Sequence, residues 1–573
     1  MFHAKDHKTG HLFEPFDFLG PKRLERIKQS WAGLFREEIL AELPVEQMRG
    51  HYDQSQGRPS KEVYSVLGAV LLQQMLDLTD EETVDAFAFN LQWRYALDLR
   101  DESDQGAYLC AKTLWTMRSM VIREEVAPVL FDRVSSKLKK VFQVDTSRQR
   151  LDSIQIVSNM RRLGRVSLIA QTIRKFLVNL KRRHGEQFAG LKEELREGYM
   201  PRSGEGVFAL VKPSEAGRAL KRLGEDLYDL IEQFGGDPEI GAMHSYRLLV
   251  RVFSEQFRVE AEEVESVHRI VVKANDEVAS DSLQSPSDPD ATYGYKGKGY
   301  QVQMMESYRE EEEGSERQPN LITYVEIEGA HERDNEALMP ALEKTRQEGR
   351  GPSQVVADCA YGSDQNVMDA GDEGVELIAP VKATRPRPAV GLAEFSYDQR
   401  RRVKVCPRGH PPLKTYGKKD RHTALFDGEI CEGCSLRDQC PVKRGGRGYY
   451  LRYTEKLLRL ALRKAHEQSE EFRQRYRYRS GCEATMSELD RKTGIKRLRI
   501  RGMAAVRLCV FLKTTGINIL RATRFKNAQN RAPDPSSGPA LPQNRLLLLI
   551  WNRFRQLLAF IADSSMAPKT CCP

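Results

Sequence analysis

At 573 residues, with 90 Lys and Arg against 81 Asp and Glu and a formal net charge of +9, the chain is too long for one hydrophobic core, and roughly two to four domains are expected. A modest basic excess points to a polyanionic partner only where it is clustered, and it is clustered: no acidic residue falls between Arg491 and Arg531. The N-terminus lacks the apolar segment of a signal peptide, and the late apolar run Leu546 to Trp551 is far short of the roughly 20 residues that cross a bilayer, so a soluble, cytoplasmic protein without a membrane partner is expected.

Residues 20–140 read as helices. Ser60 is a plausible N-cap for a helix whose apolar face runs through Val66, Leu67, Val70, Leu71 and Met75. Thr79 or Asp80 caps the next, and Leu114 to Val121 and Val126 to Leu138 complete a helical domain. The alternation of Gln149 to Val157 then reads as a strand. Residues 160–265 turn helical again. Strands resume at Gly299 to Met304 and Leu321 to Ile327; a helix from Asp334 to Gln347 leads into the strand Gln354 to Asp358, and Glu376 to Val381 makes one more. That order predicts an α/β fold with a mixed sheet interrupted by insertions. The Pro-, Gly- and Cys-rich stretch 382–447 breaks the pattern, helices return from Glu455 to Leu520, and the tail after Asn527 reads as a linker followed by an amphipathic helix from Arg545 to Ala562.

Three acids stand out. Asp152 ends the alternating run, Asp358 follows the apolar Val355-Val356-Ala357, and Glu483 falls on a predicted helix with Tyr476 and Arg479 at helical spacing before it. Two strand-borne aspartates and a helix-borne glutamate are a donor set for two hard divalent cations, Mg²⁺ or Mn²⁺, as in phosphoryl transfer. An isolated Asp is more often a plain strand-end or turn residue, and Tyr476, Arg479 and Glu483 share a helix face on which an Arg–Glu pair is routine.

The order of the motifs changes that weighing. Gln149-Arg150-Leu151-Asp152-Ser153 with Ser158-Asn159-Met160, then Pro286-Ser287-Asp288-Pro289-Asp290, then Tyr295-Lys296-Gly297-Lys298-Gly299-Tyr300, then Asp358-Cys359-Ala360-Tyr361-Gly362 resemble consecutive motifs of DDE transposases from bacterial insertion sequences. The resemblance runs from about Gly57 to Arg521 and is to the group with a Tyr-x2-Arg-x3-Glu-x6-Lys signature, here Tyr476, Arg479 and Glu483. It implies an RNase H-like core with Asp152, Asp358 and Glu483 as catalytic metal ligands, and Arg479 and Tyr476 positioning phosphate. It also implies a protein that binds the terminal inverted repeats of its element, acts on target DNA, and works as a homo-oligomer in a synaptic complex. The signature's lysine position is Asp490: either Arg491 reaches a phosphate in its stead, or the basic function is lost. A DNA-binding relic that no longer cuts, and a nuclease that does not join strands, are the rival readings.

Cys406, Cys431, Cys434 and Cys440 have the spacing of a structural Zn²⁺ site, with His410 as a substitute ligand; free thiols in a loop-rich insertion are the alternative. The acid-free stretch supplies Arg491, Lys496, Arg497, Arg499 and Arg501 as candidate contacts to DNA phosphates. The domains expected are a helical N-terminal domain at 1–140 and a catalytic core at 141–525. The core would hold a helical insertion at 158–270 and a zinc-ribbon-like insertion at 382–447, with a tail at 526–573.

Overall fold

The computed structural model describes residues 1–9, 15–53, 59–160, 163–200, 211–261, 268–310, 318–382 and 390–530. Arg531 and the expected helix from Arg545 to Ala562 lie outside them. Contacts divide the chain into a unit from Met1 to Thr523 and a second from Arg524 to Pro573.

The first unit starts with helices. One of them, α1 (Val63–Leu76), is apolar on nearly every side and is buried accordingly. Its N-cap is Glu62 and not Ser60: the Glu62 carboxylate accepts from the amides of Tyr64 and Ser65, while Ser60 Oγ accepts from His3 N. A carboxylate at this end also meets the positive pole of the helix. Residues 1–9 lie along this entrance. The His7 ring sits 3.6 Å from Glu62 and 3.5 Å from Asp98. Burial works to lower its pKa, but the two carboxylates outweigh burial and hold it up at about 9. Thr79 closes a capping box with Glu82 at the head of the helix Asp80–Phe89.

The main sheet has six strands: β1 (Arg148–Val157), β2 (Thr292–Gly294), β3 (Gly297–Ser307), β4 (Ile322–Gly329), β5 (Gln354–Ala357) and β6 (Glu376–Ile378). β3 runs antiparallel to β1, and β2 and β4 pair with the far edge of β3, both antiparallel. On the other side β5 is parallel to β1 and β6 parallel to β5. The sheet is therefore mixed, as its sequence order predicts. Its two faces bury different partners. Ile154, Ile156, Val302, Met304, Val325 and Ile327 pack against the N-terminal helices and the long helix α4 (Met503–Asn530, introduced below). Leu151, Met305, Val355 and Ala357 pack against the helices Leu338–Gln347 and Asp364–Asp372. The period-two alternation of a strand sorts these sets onto opposite faces.

Two insertions carry their own cores. After β1 comes α2 (Arg165–Arg183), which packs with the helices Ala216–Phe234 and His244–Gln256 around Ile173, Phe176, Leu227 and Leu249. The expectation of helix through residue 265 fails at its end: Phe257–Ala261 forms an antiparallel hairpin with His268–Val272. Phe257-Arg258-Val259-Glu260 alternates apolar and charged residues, a strand pattern too short to stand out beside long helices. After β6, a four-stranded antiparallel sheet (Lys414–Lys418, Arg421–Phe426, Gly448–Thr454, Lys443–Gly445) folds over Ala424, Phe426, Leu451 and Tyr453. Its strand Gly448–Thr454 lies wholly past residue 447, the end expected for this insertion.

Two helices close the main core, α3 (Ser480–Thr493) and α4. Among the described residues α4 alone is long and apolar enough to cross a membrane, but 72% of its apolar window is buried inside the protein. Val506, Val510, Ile517 and Ile519 join the core beneath the N-terminal helices.

Candidate active site

Register brings the two aspartates together. In the parallel pair, Leu151 of β1 lies opposite Ala357 of β5, so one step further places Asp152 beside Asp358, where β5 has ended and β1 continues. Asp152 is 7% exposed and sits on the face that α3 covers. Burial raises its pKa, and the neighbouring charge of Asp358 pushes the same way; Arg479, the Ser153 amide and Lys296 pull it back. Asp358 is half-buried and accepts from the Ala360 amide at 2.7 Å, which fixes the turn after β5. Two adjacent carboxylates, one of them desolvated, are a place where a cation lowers the free energy.

A cation is already there. Arg479 donates from Nη2 to Asp152 Oδ2 and from Nη1 to Glu483 Oε1, both at 2.9 Å. Its Nε is buried without a hydrogen-bond partner among the described residues. The guanidinium thus ties the helix-borne glutamate to the sheet-borne aspartate and keeps one donor unused. Glu483 itself is 71% exposed on its side chain. The path from Tyr476 to Glu483 is not one regular helix: Glu470–Tyr476 ends, Arg477–Arg479 is a 3₁₀ turn, and α3 begins at Ser480. Tyr476 stacks on Phe472 with ring centroids 5.4 Å apart, and burial raises its pKa.

What holds α3 at this distance is a buried network that sequence reasoning missed. Glu306 on β3 accepts from Arg150 Nε at 2.6 Å, from Arg521 Nη1 at 2.8 Å and from Thr485 Oγ1 at 2.7 Å. Arg521 also donates to Glu488. One carboxylate therefore joins β1, β3, α3 and α4. Arg150 Nη1 reaches on to the Tyr478 carbonyl at 3.0 Å and lies flat across Gly481, where a Cβ would come within 1.6 Å of it. Arg150 stands two residues before Asp152 on the same strand face, so the network fixes Asp152 and Glu483 relative to one another. The available signal was an Arg in a motif block; its partner 156 residues away was not in it.

The basic stretch divides. Arg491, Arg497, Arg499 and Arg501 are exposed and Lys496 is half-buried. Arg499 pairs with Asp77 at 3.4 Å and Arg501 Nε donates to the Asn159 carbonyl. Lys496 lies 3.9 Å from Asp490, and its backbone amide donates to the same carboxylate. Further along, Lys513 bonds Asp77 and Thr493 O inside the core, Arg507 pairs with Glu326, and Arg521 serves Glu306. The stretch lacks acids in sequence, but the fold brings acids to it, so part of its charge is structural and not a phosphate surface.

Cys406, Cys431, Cys434 and Cys440 line one cavity in the small sheet domain, with His410. Burial pushes the Cys431 thiol up to about 11, and the other three sulfurs add to the shift, which places all four within electrostatic reach. Among the described residues no group of three or more His, Cys, Asp or Glu is set as a bound metal needs. Asp152 and Asp358 offer oxygen donors of the kind a hard cation takes, while Glu483 is turned to Arg479. The thiols fit Zn²⁺ in kind and converge on one cavity.

Residues 405–523 match the family model described as a transposase DDE domain, and residues 26–119 match that described as a transposase domain (DUF772). The first match includes Tyr476, Arg479, Glu483 and the four cysteines; Asp152 and Asp358 lie before it and are joined to it by the sheet register and Arg479. A transposase DDE domain implies a family of nucleic-acid phosphoryl-transfer enzymes, one that acts on DNA and typically uses divalent metals. Together the two matches support an insertion-sequence DDE transposase. No curated protein matches the chain.

Proposed function

We propose that the protein is a DNA transposase that binds the terminal inverted repeats of its element, cuts at the element ends and joins the 3′-hydroxyls to target DNA. The observation that carries this is the pair Asp152 and Asp358, side by side on parallel neighbours, with Glu483 tied to them through Arg479. The three carboxylates would hold two Mg²⁺ or Mn²⁺, which when bound activate a water or 3′-hydroxyl and stabilise the leaving oxygen. Arg479 gives up its carboxylate contacts and turns its planar fork, with the unused Nε, to a DNA phosphate. Tyr476, one turn before, packs beside it and limits where that phosphate lies. Arg491, Lys496, Arg497, Arg499 and Arg501 contribute backbone contacts, which give affinity without sequence choice. The strand order, two antiparallel partners on one side of β1 and two parallel ones on the other, supports an RNase H-like core. The reading carries with it the domain division proposed from the sequence and, as the working state, a homo-oligomeric synaptic complex in the cytoplasm. Cys406, Cys431, Cys434 and Cys440 would hold a structural Zn²⁺ with no position left open for catalysis; purified protein should then carry about one zinc per chain, lost in Cys431→Ser with Cys434→Ser.

The test is a supercoiled plasmid carrying the gene's flanking DNA, incubated with protein and Mg²⁺ or Mn²⁺. Cleavage at the element ends by the wild type and not by Asp358→Asn supports the reading; cleavage by both overturns the assignment of Asp358. Asp490 favours a second reading, a relic that binds DNA without cutting: its negative charge stands where the resemblance implies a lysine, and Lys496 is drawn to it. Specific binding with no cleavage, and cleavage restored by Asp490→Lys, would establish that reading. Cut ends that are never joined would instead mark a nuclease.

A further inference from the structure

The small four-stranded sheet after β6 has two faces of opposite character. One covers its core: Ala424 pairs with Leu451, Phe426 with Tyr449, and His422 stacks on Tyr453. Successive residues of a strand point to opposite sides, and residues paired across strands point to the same side. The register therefore assigns the outer face. Lys418, Arg421 and Thr454 form one row of it, Tyr416, Thr423 and Arg452 the next, and Lys414, Leu425, Tyr450 and Lys443 the third. Five of these ten side chains are cations, all five exposed, and none is an acid.

The charge is also unpaired. Among the described residues none of the five cations makes an ion pair, whereas elsewhere in this domain Arg401 pairs with Glu455 at 2.9 Å and Arg444 with Glu432 at 3.1 Å. Across residues 414–426 and 443–454 the one acid is Asp420, in the turn between the first two strands. Lys418 and Arg421 stand directly opposite one another, a like-charge pair that weakens a sheet. A surface that serves solubility alone intersperses both signs. A face that gives up stability to gather one sign suits a polyanion, and it repels a second copy of itself.

Shape narrows the partner. The face is open, roughly 14 Å from Lys414 to Lys418 along a strand and about as wide across three inter-strand steps. Charge spread on that scale meets a repeating polyanion rather than a single phosphate, and it spans a DNA groove of about 6 to 12 Å. Single strands are held on free aromatic rings, and the Tyr450 ring is not free. It lies on Gly445, where a Cβ would come within 2.6 Å of it, and the Arg452 guanidinium sits 5.3 Å from its centroid. The face is anchored as well. The helix Glu455–His466 continues from the strand Gly448–Thr454. On it Arg459 pairs with Asp364 at 2.7 Å, and Arg463 donates to the carbonyls of Gly362 and Ala379, each at 3.1 Å. Those partners belong to the turns and helix that follow β5 and β6, so whatever the face holds is tied to the main sheet.

We infer that the outer face of the small sheet is a docking surface for duplex DNA, with Lys414, Lys418, Arg421, Lys443 and Arg452 on its phosphates. Such contacts carry no base information, so the surface takes duplex of any sequence. The inference rests on the transposase reading and adds a DNA contact that the carboxylate site does not make.

The experiment titrates full-length protein with a labelled duplex of arbitrary sequence, without added divalent cation, between about 50 and 200 mM salt. Lys418→Gln, Arg421→Gln and Arg452→Gln combined should lower the slope of log K against log salt by roughly 2.7, about 0.9 for each lost contact. Across that range the wild type then loses about 40-fold more affinity than the variant. The variant's melting temperature should hold or rise, since a like-charge pair is gone. Lys414→Gln with Lys443→Gln, in the row farthest from that pair, should lower the slope by roughly 1.8 independently. A charge-matched control on the helical insertion, Arg182→Gln with Arg183→Gln and Lys192→Gln, should keep the wild-type slope. The inference is overturned if the sheet variants keep that slope, or if the control lowers it equally, since net charge alone then acts. It is equally overturned if the loss appears only with single-stranded DNA of the same length, because the occupant is then a single strand. A wild type that binds no DNA at any of these salt concentrations overturns the transposase reading itself, and this inference with it.

Discussion

Asp152 pays a desolvation cost whenever it is ionised, because it is buried beside another carboxylate and relies on Arg479 for compensation. Asp152→Asn removes the charge and keeps the shape. It is expected to leave thermal stability unchanged or slightly raised and DNA binding intact, while end cleavage is lost; a melting curve, a mobility-shift titration and the plasmid assay read the three separately. Loss of binding together with cleavage would mean the residue serves the fold and not the chemistry. His7 gives a second residue-scale expectation. Its pKa is raised from the ordinary 6.5 to about 9 by Asp98 and Glu62 against the effect of burial. A raised folded value means the N-terminal strap is held fully below about pH 6.5 and loosens as pH rises through about 9. Amide exchange in residues 1–9 should accelerate across that window, and His7→Gln should abolish the dependence. At this scale the sequence marks Asp152, Asp358 and Glu483 through motif order, since each motif is local. It does not mark Glu306, because a lone glutamate in a strand is ordinary until its partners, 156 and 215 residues away, are known. The same blindness makes the acid-free run from Arg491 look like free charge when Lys513 and Arg521 are already paired.

Helix α3 is the element on which the site depends, and it is held by polar contacts rather than by a broad apolar face. Glu306→Ala would leave Arg150 and Arg521 buried without their shared carboxylate, a change that costs about 3–5 kcal/mol. Chemical denaturation should show that loss. Glu306→Gln, which keeps acceptors but not charge, should fall between. If Glu306→Ala proves neutral, the network does not hold α3 in place. Five of the six strands of the main sheet were legible because their alternation or apolar runs are bounded by turn residues; β2, three residues long, was not. The hairpin after Gln256 was not, since four alternating residues carry little weight against long amphipathic helices. Nor was the break between Tyr476 and Glu483: residue spacing alone does not distinguish a continuous α-helix from two joined by a 3₁₀ turn, and that turn is what lets Arg479 face both Asp152 and Glu483.

For the molecule as a whole, the mixed sheet was legible from element order, and the insertions from the places where that order is interrupted. How Asp152 and Asp358 meet was not, because parallel pairing between β1 and β5 joins positions about 200 residues apart. That separation has a consequence in time. A chain made from its N-terminus presents β1 long before β5 exists; at about 5–20 residues per second the wait is roughly 10 to 40 s. An unpaired central strand is a template for aggregation. The segment made during the wait holds the helices around Phe176 and Leu249, a core that closes with no help from the sheet. Nascent chains whose emerged part ends near residue 290, before β3 is available, should therefore show a protease-resistant fragment spanning the insertion while β1 remains cleavable; protection of β1 should begin with β3 and be completed once residues beyond 357 have emerged. On the ribosome Asp152, Asp358 and Glu483 are kept apart by the order of synthesis, so under the proposed reading a partly made chain would lack the site altogether.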